Sequence, residues 1–522
     1  MPTVAQLFNT FVNVNPATGE QLGEHACASV SEVQTAVATA RRNQPAWAAL
    51  GVRERVSVLR RFAALLLENK LKVAGIVTAE AGKPLAEALL SEVMVVLDAA
   101  RFVSANATRV LRPEEVPHGN PALALKRGRL LWEPYGVIGI ISPWNYPFSV
   151  PATEVLAALA VGNAVVLKPS ELTPDSALIL RELLHRAGVP LGAFGVVLGA
   201  GETGAALVNA GVDKIIFTGS VATGRRVGMA AAEKLIPATL ELGGKDAMLV
   251  LDDASVDIAS SAAVWGAMMN AGQTCISVER CLVDRKIYKD FVEACRMKIE
   301  QLKVGSGAHP ETDMGPMISQ RQLEIVERQV EDARARGAQV LAGGKRLPEL
   351  GANFYGPTLI VDVPADAPLM CEETFGPVLP VTPFDGDEDG IRRANASEFG
   401  LAASVWTRNR RRGERVARRI EAGTVMVNDL LTGFAISEAP HGGIKLSGVG
   451  RTHGMLGLRD LVRPRYLDED KTGWMKKLWW YGYGPKVTRQ LAAFNDLVFA
   501  RSLVKKLAGA FGSAGMLFRR RR

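Results

Sequence analysis

The feature that most constrains this chain is a set of short, almost unbroken apolar runs: Val137-Ile-Gly-Ile-Ile141, Ala164-Val-Val-Leu167, Phe194-Gly-Val-Val-Leu198, Lys214-Ile-Ile-Phe217, Ala247-Met-Leu-Val-Leu251 and Thr424-Val-Met-Val427. A strand with one face in water alternates polar and apolar residues, whereas a strand apolar throughout is buried on both faces, as in a parallel sheet covered by helices. Stretches rich in Ala, Leu, Glu and Arg accompany the runs, at Val30 to Leu50, Val52 to Ala81 and Asp175 to Ala187, with Ser31 and Asp175 as candidate N-caps. This rhythm predicts an α/β protein with a doubly wound core. The 522 residues carry ordinary globular proportions, 48% hydrophobic and 22% charged, which excludes a disordered or collagen-like chain and leaves room for several cores. No internal repeat or low-complexity linker interrupts residues 1 to 470.

The net charge of +8 is unevenly divided: residues 471–522 hold six Lys and six Arg against the single acid Asp496, so the tail is +11 and the first 470 residues are −3. A basic tail attracts nucleic acid, an anionic membrane or an acidic protein, and charge alone does not choose among them. The five cysteines, Cys27, Cys275, Cys281, Cys295 and Cys371, form no CxxC pair and no zinc spacing with histidine, which implies a reducing compartment and no structural metal. The start, MPTVAQLFNT, has neither the basic segment nor the apolar run of a secretion signal, so a cytoplasmic location is expected.

Several segments carry chemistry. Ile216-Phe-Thr-Gly-Ser-Val-Ala-Thr-Gly224 reads as a buried strand breaking at Gly219 into a helix, a junction that either cradles a phosphate on free N–H groups or is a plain turn; its spacing is not GxGxxG. Lys168 and Glu171 follow another buried strand, as ribose contacts or as a solvated pair, and an acid there favours NAD over NADP. Cys275, framed by Gly272-Gln-Thr and Ile-Ser, is either a reactive thiolate or a core thiol. Glu241 sits between apolar residues and a glycine pair, where a carboxyl has a raised pKa and suits a general base, or else joins a structural ion pair. The Asn145 amide, after another strand, can donate to an oxyanion or serve a turn.

Taken together, Pro143-Trp-Asn145-Tyr-Pro, Lys168-Pro-Ser-Glu171, Phe217-Thr-Gly-Ser220, Glu241-Leu-Gly-Gly, Gly272-Gln-Thr-Cys275, Glu372-Glu-Thr-Phe375-Gly-Pro and Gly442-Gly-Ile-Lys-Leu-Ser-Gly448 resemble the NAD(P)-dependent aldehyde dehydrogenase superfamily in order and spacing, over roughly residues 13 to 470. The resemblance implies that Cys275 is the nucleophile, that Asn145 and the Cys275 N–H hold the oxyanion, and that Glu241 activates water to release the acid from a thioester. It implies NAD, with NADP as the variant, as cofactor, with contacts at Ser142, Trp144, Lys168, Glu171, Gly219, Ser220, Glu373 and Phe375 and with Glu372 beside them; no metal is implied. It further implies an aldehyde-dehydrogenase-like fold with a Rossmann-like cofactor domain (1–113 and 134–243), an α/β catalytic domain (244–429), a β oligomerisation arm (114–133 and 430–470) and, beyond the resemblance, a basic aromatic tail (471–522). A homo-oligomer, dimer or tetramer, is expected.

Two positions depart from the family pattern. Glu154 stands where many members have Lys, and His441 where Phe or Tyr precedes the glycine pair; the simplest reading of both is variation lining a surface, with an altered proton relay as the alternative for Glu154. Tyr146, Phe148, Val150 and the run Val155 to Val161 point to an apolar aliphatic or aromatic aldehyde, as do Phe434 and Ile436. A succinate-semialdehyde-type enzyme would instead need a cation in the tunnel, for which Arg280, Arg451 and Arg459 are candidates. Glu241 argues against a CoA-acylating enzyme. In the tail, aromatics beside Lys from Trp474 to Tyr483 and a helix-like stretch from Val487 to Phe511, with a stripe of Leu497, Ala500, Val504, Leu507 and Phe511 that Arg501 interrupts, suit a peripheral membrane contact rather than nucleic acid, with docking on the enzyme's own body or a neighbouring subunit as the alternative. A catalytically idle scaffold is the rival class, against which the complete Asn145, Glu241 and Cys275 set speaks.

Overall fold

A computed structural model describes residues 10–120, 123–474, 477 and 480–514. The chain forms two compact units, one from residues up to Val110 together with Pro134–Arg463, the other from Leu111–Glu133 together with Pro464 onward.

In the larger unit the apolar runs form the strands expected of them. A six-stranded sheet contains β1 (Val137–Ile141), β2 (Ala164–Lys168), β3 (Phe194–Val196), β4 (Lys214–Thr218) and β5 (Ala238–Glu241). A seven-stranded sheet contains β6 (Ala247–Val250), β7 (Arg280–Asp284), β8 (Gln339–Ala342), β9 (Thr358–Val361), β10 (Val378–Phe384), β11 (Ala402–Trp406) and β12 (Thr424–Val427). A short strand, β13 (Gly448–Val449), closes the first sheet, whose order is β13-β5-β4-β1-β2-β3; the second runs β8-β9-β10-β7-β6-β11-β12. Pairing is parallel except β5 with β13 and β8 with β9. Every residue of β1 and β2 is buried, as helices on both faces require. Gly139 in β1 is needed there, because a Cβ would meet the Ile215 side chain at 2.7 Å.

The helices refine the expected boundaries. Ser29, not Ser31, caps Val30–Ala49: its hydroxyl accepts from Glu32 N, and Glu32 Oε2 accepts from Ser29 N at 2.8 Å, a reciprocal box. The Val52 to Ala81 stretch breaks at Asn69 into Val52–Glu68 and Lys70–Ala81. Asp175 lies in the first turn of Pro174–Ala187, with Thr173 at the cap position. Residues 430–463 fold into the larger unit rather than with the arm, because β13 pairs with β5 and Asn163 Nδ2 donates to Leu461 O at 2.9 Å.

The smaller unit has a three-stranded sheet ordered Val462–Asp470, Lys126–Pro134, Glu114–Val116, followed by two helices, Pro485–Phe499 and Leu503–Ser513. The tail residues Met475, Lys476, Leu478 and Trp479 and the final Arg519 to Arg522 lie outside the described residues. Among the described residues no helix is long and apolar enough to cross a membrane.

Candidate active site

Parallel strands end at one edge of a sheet, and the chain reverses its direction of travel between β1 and β4, leaving a crevice there. Ser142 follows β1, Lys168 and Glu171 close β2, Gly219 and Ser220 follow β4, and Glu241 ends β5. Ser220 caps the helix Val221–Glu233, its hydroxyl accepting from Thr223 N at 3.4 Å; the first N–H groups of such a helix are available to an anion. Lys168 Nζ lies 3.3 Å from Glu171 Oε2, and burial pushes the Lys168 ammonium down. The buried Ser142 hydroxyl has no protein partner. An acid for ribose hydroxyls, a capped helix start for phosphate and an orphaned hydroxyl form a donor and acceptor set that fits a dinucleotide.

From this crevice a cleft of about 450 Å³ runs inward, lined by Trp144, Asn145, Gly219, Ser220, Glu241, Cys275, Glu373 and Phe375 among others. Ser142, Lys168 and Glu171 lie outside the lining, and Glu372 is an exposed residue outside it as well.

Cys275 is held by an unusual backbone. The helix Val256–Met268 ends, Asn270 and Ala271 follow with φ of 54° each, and Gly272 has φ of 71°. A Cβ on Gly272 would lie 2.0 Å from Gly376 O, so only glycine fits. This close approach presses the Cys275 loop onto the turn carrying Glu373 and Phe375. Gln273 locks the loop, donating to Asn270 O at 2.9 Å and accepting from Ile318 N at 2.9 Å. Asn145 Nδ2 spends one N–H on Gln273 O at 3.0 Å, and the amide has a second to offer the cleft. Beneath Asn145, Lys83 Nζ donates to Asn145 O at 2.7 Å and pairs with Glu92 at 2.7 Å, fully buried, under the Tyr146 ring at 3.9 Å. Burial, aided by Asp246, Glu373 and Glu241, pushes the Cys275 thiol well above its ordinary range.

On the cofactor side, Phe375 packs edge-on to Trp144 at 5.4 Å. Glu373 Oε1 accepts from Gly244 N at 2.9 Å, and burial with Glu279 nearby raises its carboxyl to about 8. Glu279 ties the same turn down, accepting from Lys245 Nζ at 2.6 Å and from Phe375 N at 2.9 Å.

Glu241 is buried and neither carboxylate oxygen has a hydrogen-bond partner. Burial, then the neighbouring Glu154 carboxyl, raises it well above the carboxylate range. Glu154 and His441 are not surface variations, as expected, but buried walls of the cleft. Burial pushes Glu154 up to about 8, against a lowering contribution from Thr218. His441 and His453 both pack edge-on to Phe434, at 5.1 and 4.6 Å; His453 was not singled out from sequence, because nothing local marks it.

Much of the cleft lining is apolar: Leu90, Met94, Val95, Tyr146, Val150, Trp265, Met269, Leu431 and Phe434 line it. One π-helical turn, Leu89–Met94, presents Leu90, Ser91 and Met94 to the cleft while aiming Glu92 inward at Lys83. The expected wall differs in part: Phe148 is fully buried and Val155 to Val161 belong to the core or a helix turned away, and Ile436 does not line the cleft. Among the described residues lining it there is no Lys and no Arg; its ionisable carboxyls are Glu154, Glu241 and Glu373. Arg280 is buried elsewhere, donating to the carbonyls of Lys245, Arg393 and Ala394. Arg451 donates to Gly443 O and Gly450 O, and Arg459 does not line the cleft.

The aldehyde dehydrogenase family model matches residues 4–466. A 4,4'-diapolycopene aldehyde oxidase of Methylomonas sp is 38% identical over 490 residues, covering 94% of this chain and 91% of the relative; an alignment of that length runs past residue 470 into the tail. A mitochondrial succinate-semialdehyde dehydrogenase of Oryza sativa subsp. japonica is 38% identical over 455 residues, 87% of this chain and 85% of the relative. Among solved structures, the NAD+ complex of an aldehyde dehydrogenase from Bacillus cereus superposes with a TM-score of 0.85 at 37% identity, covering 88% of this chain and 93% of that one.

Proposed function

The chain belongs to the aldehyde dehydrogenase family of NAD(P)-dependent oxidoreductases, and we propose that it oxidises an apolar aliphatic or aromatic aldehyde to the carboxylic acid at Cys275. The observation that carries the substrate class is the cleft lining: many apolar side chains, three carboxyls, and no Lys or Arg among the described lining residues. A carboxylate-bearing aldehyde would meet no counter-ion there. The Methylomonas relative is named as an oxidase of 4,4'-diapolycopene aldehyde, and not of a semialdehyde.

In this reading the Cys275 sulfur adds to the aldehyde carbon, and the spare Asn145 N–H together with the Cys275 backbone N–H holds the oxyanion. Because the thiol is pushed up, its proton has to leave to solvent as attack proceeds. NAD(P) held by Ser142, Trp144, Lys168, Glu171, Gly219, Ser220, Glu373 and Phe375 supplies the hydride acceptor. A thioester remains on Cys275, and Glu241 draws a proton from the water that hydrolyses it. Glu171 favours the unphosphorylated ribose of NAD.

The exposed edge strand Val462–Asp470 suits pairing with a second copy, which supports a homo-oligomeric enzyme. The basic, aromatic tail supports work at a membrane surface on the cytoplasmic side.

The test is cofactor reduction by purified protein over aliphatic aldehydes of increasing length, aromatic aldehydes and semialdehydes. Turnover that rises with chain length and vanishes in Cys275→Ala is the expected result. The identity to the rice semialdehyde enzyme favours a second reading, and preference for a carboxylate-bearing aldehyde would establish it instead. No reduction of either cofactor would return the chain to the scaffold class.

A further inference from the structure

The described part of the tail folds as two helices that turn back on each other at Ala500–Ser502. The single stripe expected from Leu497 to Phe511 is therefore divided. Arg501 lies in the turn, off both helix faces. Leu497 faces its partner helix, where a Cβ on Gly509 would come within 2.4 Å of the Leu497 backbone N. Gly509 and Ser513 are the buried positions of the second helix. At about 100° per residue, Val504, Leu507 and Phe511 fall on its opposite face and Leu503 on the adjoining flank; Leu503, Val504, Leu507 and Phe511 are 71, 74, 55 and 84% exposed.

We infer that this ridge of Leu503, Val504, Leu507 and Phe511 is the element that inserts into the headgroup region of an anionic bilayer, with the helix lying in the membrane plane. The inference rests on the membrane-surface reading above and names its inserting face. Eleven residues are too short to span a bilayer but are sufficient to lie along its surface. In sequence, residues 471–522 carry twelve cations against one acid, a charge complementary to anionic headgroups. Trp474, 83% exposed beside the basic segment, is of the type that settles at the headgroup level. An aqueous protein surface rarely leaves four large apolar side chains open on one helical face without a function.

The experiment is co-sedimentation of the full-length enzyme with phosphatidylglycerol/phosphatidylcholine vesicles, compared with the double variant Leu507→Asp/Phe511→Asp. The parent is expected in the pellet, and the variant should lose about tenfold or more in bound fraction, while oxidation of a short, water-soluble aldehyde is unchanged because the substituted residues lie on the surface. A parent that pellets and a variant that pellets equally would overturn the inserting ridge while leaving the membrane reading standing. A parent that stays in the supernatant even at low salt would overturn the membrane reading itself. A variant that halves the solution mass of the parent without altering vesicle binding would show that a second copy, not lipid, covers the ridge.

Discussion

His441 Nε2 lies 4.0 Å from Glu241 Oε2, and both side chains are buried. Burial, and the Arg451 charge, push the imidazole down to about 4, so at neutral pH it is uncharged and gives Glu241 no counter-ion. Burial raises Glu241 most; among its charged neighbours Glu154 and Asp460 raise it further and Arg451 lowers it. Hydrolysis needs ionised Glu241, so the rate falls as pH drops through its raised pKa, and the acid limb lies well above the ordinary carboxylate value of about 4.3. Glu154→Gln removes the neighbouring carboxyl that raises Glu241 and moves that limb down. The pH profile of kcat for parent and variant checks this.

Glu154 also makes folding pH-dependent. Its folded pKa of about 8 exceeds its model-peptide value of 4.5, so the folded state holds a proton that the unfolded chain releases between these values. The penalty is absent below about 4.5 and grows as pH rises toward 8. The Tm of Glu154→Gln relative to the parent is expected to be near zero at the acid end and to increase steadily to pH 8.

Cys275→Ala abolishes oxidation, by about 10⁴-fold or more. Glu241→Gln leaves acylation competent and blocks hydrolysis, so one equivalent of reduced cofactor forms in a burst and a protein adduct of acyl mass accumulates. Stopped-flow absorbance and intact-protein mass spectrometry check both outcomes.

Asn145→Ala removes one of two oxyanion donors and lowers kcat by about 10² to 10³-fold. Binding of NAD(P), measured by fluorescence quenching, is expected to change little, since Asn145 carries no cofactor contact in this reading.

Lys83→Met leaves the Glu92 carboxylate, fully buried and 2.7 Å from the lost ammonium, without its cation. The expected loss is about 3–5 kcal/mol in denaturant unfolding, and because Lys83 also holds Asn145 O, kcat falls with it.

Local composition carried much of the fold. An apolar run such as Val137–Ile141 admits only a strand buried on both faces, and the strands fell where such runs stood. The motif residues Asn145, Glu241 and Cys275 were also legible, since each sits at an element end whose neighbours force a tight turn. What escaped depended on partners far away in sequence. Lys83 meets Asn145 across 62 positions, and His453 becomes part of the site only through Phe434. Phe148 and Val155 read equally well as tunnel wall or core, because apolarity states that a side chain is buried but not against what. The division at Pro464 rather than residue 430 follows from the β5–β13 pairing, a non-local bond that no composition shift announces.

The cation-free lining has a consequence for the end of the catalytic cycle as well as its start. The reaction turns a neutral aldehyde into a carboxylate anion, and that anion forms in a cleft with no Lys or Arg among its described lining residues. No counter-ion is there to hold the anion against water. The same lining that offers a semialdehyde nothing to bind also leaves the product unheld, so inhibition by the acid is expected to be weak and release of the acid should not limit turnover.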